Sequence, residues 1–133
     1  MRKISLITGA SGFIGSRLLE YLLLSGHQVR SISRQMNPKK NNLTTIVNNI
    51  TETKISNNVF SNASNFFHLA GIAHDISLNK KNAMIYKEIN VDATVNLANK
   101  CIENGVKNFI FMSSSKASYF DNHDNKKILD FSK

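Results

Sequence analysis

Gly9-Ala10-Ser11-Gly12-Phe13-Ile14-Gly15 is the stretch that decides how the rest of this chain is read. It follows an alternating segment, Lys3-Ile4-Ser5-Leu6-Ile7-Thr8, whose period of two marks a strand. After it, Phe13, Ile14, Leu18, Leu19, Leu22 and Leu23 keep one helical face until Gly26, placed as the helix stop. Three glycines between a strand and a helix have separate tasks. Gly9 permits a tight turn out of the strand, Gly12 lets backbone approach a ligand, and Gly15 lets helix and strand pack closely. The helix N-terminus adds free N–H groups and the positive end of a dipole, so the loop reads as an anion site of the pyrophosphate type.

Working outward, a short strand is expected at residues 29–33 and a third at 43–47, with a loop through Gln35-Met36-Asn37-Pro38-Lys39-Lys40-Asn41-Asn42 between them. A polar, asparagine-rich stretch follows. Asn65-Phe66-Phe67-His68-Leu69-Ala70 reads as a buried strand ending at Gly71. A single long helix is expected from 82 to about 104, with Ile85, Ile89, Ala93, Leu97 and Cys101 at helical spacing. Residues 107–112 (Lys-Asn-Phe-Ile-Phe-Met) form a fifth strand, and the chain then turns loop-like. Strands that alternate with helices and are apolar on both faces imply a parallel sheet with right-handed crossovers. The expected fold class is α/β, a doubly wound parallel sheet, ending after the fifth strand. Ligands of such sheets sit beyond the carboxyl ends of the strands.

Composition agrees with one domain. The chain has 133 residues, 41% of them hydrophobic, and a chain of this size buries roughly two-thirds of its unfolded surface. Its one cysteine excludes an internal disulfide and a multi-cysteine zinc site, and fits a reducing compartment. No apolar run approaches the roughly 20 residues of a membrane span. The segment beginning Met1-Arg2-Lys3 imitates a secretory signal, but Gly9, Ser11 and Gly12 break its apolar stretch. A cytoplasmic location is the expectation. The net charge of +8 is unevenly placed: residues 1–50 hold seven Lys and Arg against the single acid Glu20, and the remaining 83 hold ten against eight. Such an excess can serve a nucleic acid, an anionic membrane or a phosphorylated ligand. Without a docking element or an aromatic–basic cluster, nucleic acid is not expected.

The spacing Thr8-Gly9-x-x-Gly12-x-x-Gly15 resembles the cofactor loop of the extended short-chain dehydrogenase/reductases, the NAD(P)-dependent epimerase/dehydratase family, whose sheet is Rossmann-like. Asn49-Ile50 stands where that family usually has Asp-Ile or Asp-Val beside the adenine. His68-Leu69-Ala70-Gly71 is similar to the family's His-Leu-Ala-Ala strand end. Asn90-Val91 with Thr94 and Asn96-Leu97 resembles its central helix, and the run from Phe109 to Ser115 the strand that delivers a catalytic serine. The resemblance implies a nicotinamide dinucleotide held by Gly9, Ser11, Gly12, Phe13, Ile14, Gly15, Asn49, Ile50, Leu69, Ala70, Gly71, Asn90 and Ser113. Ser115 is then the catalytic hydroxyl, and a nucleotide-sugar the implied substrate if further residues or a second chain complete the site.

The cofactor's identity turns on the end of the second strand. An acid there binds the ribose 2′-OH of NAD, whereas Arg accommodates the 2′-phosphate of NADP. The strand ends Ile32-Ser33-Arg34, and no acid lies between Glu20 and Glu52, while Arg30, Arg34, Lys39 and Lys40 do. Arg34 is the expected phosphate partner and NADP the expected cofactor, with NAD the alternative. The family's proton-transferring Tyr-x-x-x-Lys pair does not occur in these 133 residues: four positions after Tyr21, Tyr86 and Tyr119 stand Ser25, Asn90 and His123. The sequence thus reads as an incomplete cofactor-binding domain (residues 1–133) of an epimerase-like protein, inactive alone and without a substrate domain. The alternative is a cofactor-binding module or gene-decay remnant without chemistry. The fifth strand is expected to leave an apolar edge that favours self-association. His68 is expected at a strand end rather than as a metal ligand, and Cys101 in the core.

Overall fold

In a computed structural model, which describes residues 3–52, 54–72 and 80–113, five parallel strands form one sheet in the order β3-β2-β1-β4-β5. The strands are β1 (Ile4–Thr8), β2 (Gln28–Ser33), β3 (Leu43–Val47), β4 (Ala63–His68) and β5 (Asn108–Phe111). Helix α1 (Phe13–Leu24) joins β1 to β2. Helices α2 (Lys80–Tyr86) and α3 (Ala93–Glu103), joined by a π-helical segment (Lys87–Asp92), precede β5. The strand order runs outward from β1 through β2 to β3 on one side, and through β4 to β5 on the other. That reversal is the switch point of a doubly wound sheet.

The alternation of side chains along each strand fills two cores. Leu6, Ile32 and Phe66 point to one face and pack with Phe60, Leu97 and Cys101. Ile7 and Val29 point to the other and pack with Leu19 and Leu22 of α1. Phe66 stacks between Phe60 and Phe109, with ring centroids 6.1 and 5.3 Å away, which ties β5 to the centre of the first core. Cys101 is buried there, and loss of hydration pushes its thiol up to about 12, so it stays a protonated core group.

Four expectations are corrected by the coordinates. Strand β4 begins at Ala63 and ends at His68, two residues earlier than its apolar run suggests, because the Thr8 hydroxyl takes the N–H groups of Leu69 and Ala70 and ends the ladder. The single long helix is interrupted by the π segment. Phe13 and Ile14, read as part of the buried stripe of α1, are 76% and 51% exposed, since the helix packs on the sheet only through later residues such as Leu19 and Leu22. Gly15 itself packs against the loop backbone rather than the strand. Beyond Phe66 and Phe109, the β5 side is open among the described residues: Ile110, Phe111 and Met112 are each 40–49% exposed.

Candidate functional site

The turn after β1 is built on two close approaches. Gly9 has φ of +71°, and a Cβ there would lie 2.8 Å from the Ala70 nitrogen and the Leu69 carbonyl carbon. A Cβ on Gly15 would lie 2.0 Å from the Gly9 carbonyl oxygen, so α1 starts directly on the loop. Gly12 differs: its Cβ would meet only the Gly9 oxygen, at 3.3 Å. Space there is limited by what enters from outside, which fits close approach by a ligand. Gly12 is the N-cap of α1 and supplies no side-chain cap, and no acid stands in the first turn. The first-turn N–H groups, those of Phe13, Ile14 and Gly15, therefore lack intrahelical acceptors and leave the helix's positive end uncompensated.

A groove of about 310 Å³ opens at this point, at the lower end of ligand-site volumes. Its floor is Gly9, Ser11 and Gly12. On the β2–β3 side stand Ile32, Ser33, Arg34, Asn48, Asn49 and Ile50. The opposite wall is Leu69, Ala70, Gly71 and Ile72, with Ile89 from the π segment. Arg34 is the one charged residue among those that line it, and no acid is present. Arg30, counted from sequence with the cations of this region, is engaged elsewhere: its guanidinium donates to the carbonyls of Val59 and Ser61 at 2.9 and 2.7 Å. Asn49 forms a local turn in which its Oδ1 accepts from the Thr51 N–H at 3.3 Å.

The structure thus brings together Gly9, Ser11, Gly12, Arg34, Asn49, Ile50, Leu69, Ala70 and Gly71, as sequence reading grouped them. Phe13, Ile14 and Gly15 are not among the lining residues, and the side chains of Phe13 and Ile14 are exposed. Asn90 does not line the groove. Its Oδ1 accepts from the Ile72 N–H and its Nδ2 donates to the Ile72 carbonyl, both at 2.9 Å. Ser113 is exposed just past β5, outside the groove lining. Ser115 and Tyr119 lie outside the described residues. Ile32, Ile72 and Ile89 were missed by sequence reading, and Ser33 and Asn48, at strand ends where a ligand is expected, were not singled out as site residues. Ser33 and Asn48 had a usable signal, because they sit at the carboxyl ends of β2 and β3.

His68 is fully buried at the end of β4, with Nδ1 2.7 Å from Thr8 Oγ1 and Nε2 2.9 Å from Thr94 Oγ1. Both ring nitrogens are used within the fold, which makes it a structural strand-end residue. Burial pulls its pKa from the usual 6.5 down to about 4.

Comparison with known proteins now decides the family. Residues 5–129 match the NAD dependent epimerase/dehydratase family. The chain belongs to that family. It is 35% identical over 120 residues to a UDP-glucose 4-epimerase of Vibrio cholerae, which covers 89% of this chain and 37% of that protein. A 3-beta-hydroxysteroid dehydrogenase of Mycolicibacterium neoaurum is 33% identical over 116 residues, covering 83% of this chain and 31% of that one. Among solved structures, MoeE5 in complex with UDP-glucose and NAD superposes with a TM-score of 0.72 at 32% identity, over 84% of this chain and 36% of MoeE5. The chain spans about a third of the length of these relatives. No helix among the described residues is long and apolar enough to cross a membrane.

The low pKa of His68 sets a direction for stability against pH. Between about 4 and 6.5 the unfolded chain carries more protons on this residue than the folded one. Its contribution is therefore complete above pH 6.5 and is lost as pH falls toward 4, by roughly 3 kcal/mol for a shift of this size. Urea unfolding at pH 7.5 and 4.5 should show the loss, and an NMR titration should find the His68 ring neutral at pH 5. A ring midpoint near 6.5 would contradict the buried network.

Proposed function

We propose that this chain binds a nicotinamide dinucleotide, NADP in preference to NAD, as the cofactor-binding portion of a nucleotide-sugar epimerase, dehydratase or ketoreductase. The observation that carries the reading is the groove itself: a glycine-floored turn, an uncapped helix N-terminus, and Arg34 with no acid at the end of β2. The dinucleotide's pyrophosphate takes the first-turn N–H groups of α1, where the helix dipole favours its charge. Its adenosine lies toward Arg34, Asn49 and Ile50, because ribose is read at the end of the second strand. The nicotinamide half then passes the 69–72 wall. Arg34 favours NADP because a guanidinium can grip a 2′-phosphate through two parallel hydrogen bonds. Ser113 follows β5, on the β4–β5 side of the switch point, and the family resemblance of the Phe109–Ser115 run supports Ser115, two positions on in sequence, as the group that hydrogen-bonds the reacting hydroxyl or carbonyl.

The bound cofactor supplies hydride transfer. What these residues do is seat it, and exclude water from it with Ile32, Ile50, Ile72 and Ile89. Proton transfer needs an acid–base pair, which the family places on a Tyr-x-x-x-Lys that these 133 residues do not contain. The chain by itself is accordingly proposed to bind cofactor without turning over substrate. The relatives act on sugars and on a steroid by their names, and the sugar reading rests on the resemblance to the epimerases. We place the protein in the cytoplasm, and propose that the open β5 side, with Phe111 47% exposed, drives self-association.

Calorimetric titration tests the cofactor reading. The chain should bind NADPH more tightly than NADH, and Arg34→Ala should weaken NADPH about tenfold while leaving NADH nearly unchanged. Equal loss for both, or none for NADPH, would remove the assignment of Arg34. Light scattering should find a dimer or larger species, and a monodisperse monomer would oppose self-association through β5.

A further inference from the structure

The hydrogen bonds around His68 determine where every proton in them lies. The Thr94 hydroxyl donates its only proton to the Asn90 carbonyl at 2.9 Å, so toward His68 Nε2 it can only accept. A neutral ring with its proton on Nε2 presents a lone pair at Nδ1, which accepts from the Thr8 hydroxyl. Thr8 Oγ1 then has two lone pairs left, and they accept the N–H groups of Leu69 and Ala70, each at 3.2 Å. Every donor and acceptor along this path is matched.

Two more bonds hold the far end of the same wall. The π segment adds a residue to one helical turn, shifting the phase of the helix between α2 and α3. Asn90 lies in that turn, and its carboxamide pairs with both backbone groups of Ile72. A Cβ on Gly71 would stand 3.0 Å from Asn90 Oδ1, so this carboxamide lies directly on the wall. Residues 69–72 line the groove, whereas Thr8, His68, Asn90 and Thr94 do not.

We propose that Thr8, His68, Thr94 and Asn90 are positioning residues that hold the 69–72 wall where the nicotinamide half of a dinucleotide passes. The inference rests on the cofactor reading above. The wall stands on the β4 side of the switch point, opposite the β2 end where the adenosine ribose is read. Replacing Thr94 by Val removes the acceptor for Nε2–H. If the ring moves that proton to Nδ1, it competes with Leu69 and Ala70 for the lone pairs of Thr8, and the fault passes into the wall. The adenosine side, on β2 and β3, is not part of the chain of bonds.

The test measures dissociation constants of NADPH, NADH and ADP for the full chain, its Thr94→Val and Thr94→Ser variants, and Asn90→Ala. Thr94→Val and Asn90→Ala should each weaken the tighter-binding dinucleotide about tenfold, while ADP, which reaches only the adenosine side, changes less than about twofold. Thr94→Ser, which restores the hydroxyl, should return dinucleotide binding to within about threefold of the unaltered chain. A merely structural role would weaken ADP in parallel, and that result overturns the proposal, as does unchanged dinucleotide binding. Should Thr94→Val fail to fold, Asn90→Ala on the half-buried helix decides the matter. If the unaltered chain binds neither dinucleotide, the cofactor reading falls and takes this inference with it; binding without the split overturns the positioning role alone.

Discussion

No side chain can stand at position 15, because a Cβ there would lie 2.0 Å from the carbonyl oxygen of Gly9. That contact sets where α1 begins, and with it the direction of the first-turn N–H groups. The same Gly9 has a backbone that only glycine adopts readily, and it presses on the Leu69 and Ala70 backbone of the neighbouring strand end. One loop therefore couples β1, α1 and β4. The groove is the space left above this junction, and its floor cannot move without moving both the helix and the opposite wall.

Charge is arranged around that junction with little redundancy. The basic excess of residues 1–50 divides into a structural part and a part free to meet a ligand. Arg30 is held by the carbonyls of Val59 and Ser61, just before β4, while Arg34 stands at the groove. Together with the uncapped end of α1, Arg34 gives the groove positive charge at two points and no acid to oppose it. We propose that one point takes a pyrophosphate and the other a ribose phosphate. The first point lies on the glycine loop that resembles the family's cofactor loop, and the second at the end of β2.

Much of this is legible in the sequence. The alternation of residues 4–8 and the leucines of α1 gave the first strand–loop–helix unit, and the glycine spacing located the groove floor. What was not legible has physical causes. The apolar run at 65–70 shows where a strand can be buried, but the ladder stops where the Thr8 side chain intercepts two N–H groups, a contact across 61 positions in sequence. Helical periodicity over 82–104 cannot register one extra residue in a turn, so the π segment and the pairing of Asn90 with Ile72 stayed hidden. A charge window sees Arg30 and Arg34 alike; only the fold shows that Val59 and Ser61 claim the first. Phe13 and Ile14 fit the helical face by spacing, yet they precede the point where the helix touches the sheet.

The central claim is that a dinucleotide lies across the glycine loop with its two halves on opposite sides of β1. Amide NMR of the labelled chain during titration with NADPH tests it most directly. The account predicts the largest shifts at residues 12–15, with further shifts at both Arg34 and the 69–72 wall. Saturable shifts confined to the surface lysines, with the loop amides unmoved, would contradict it.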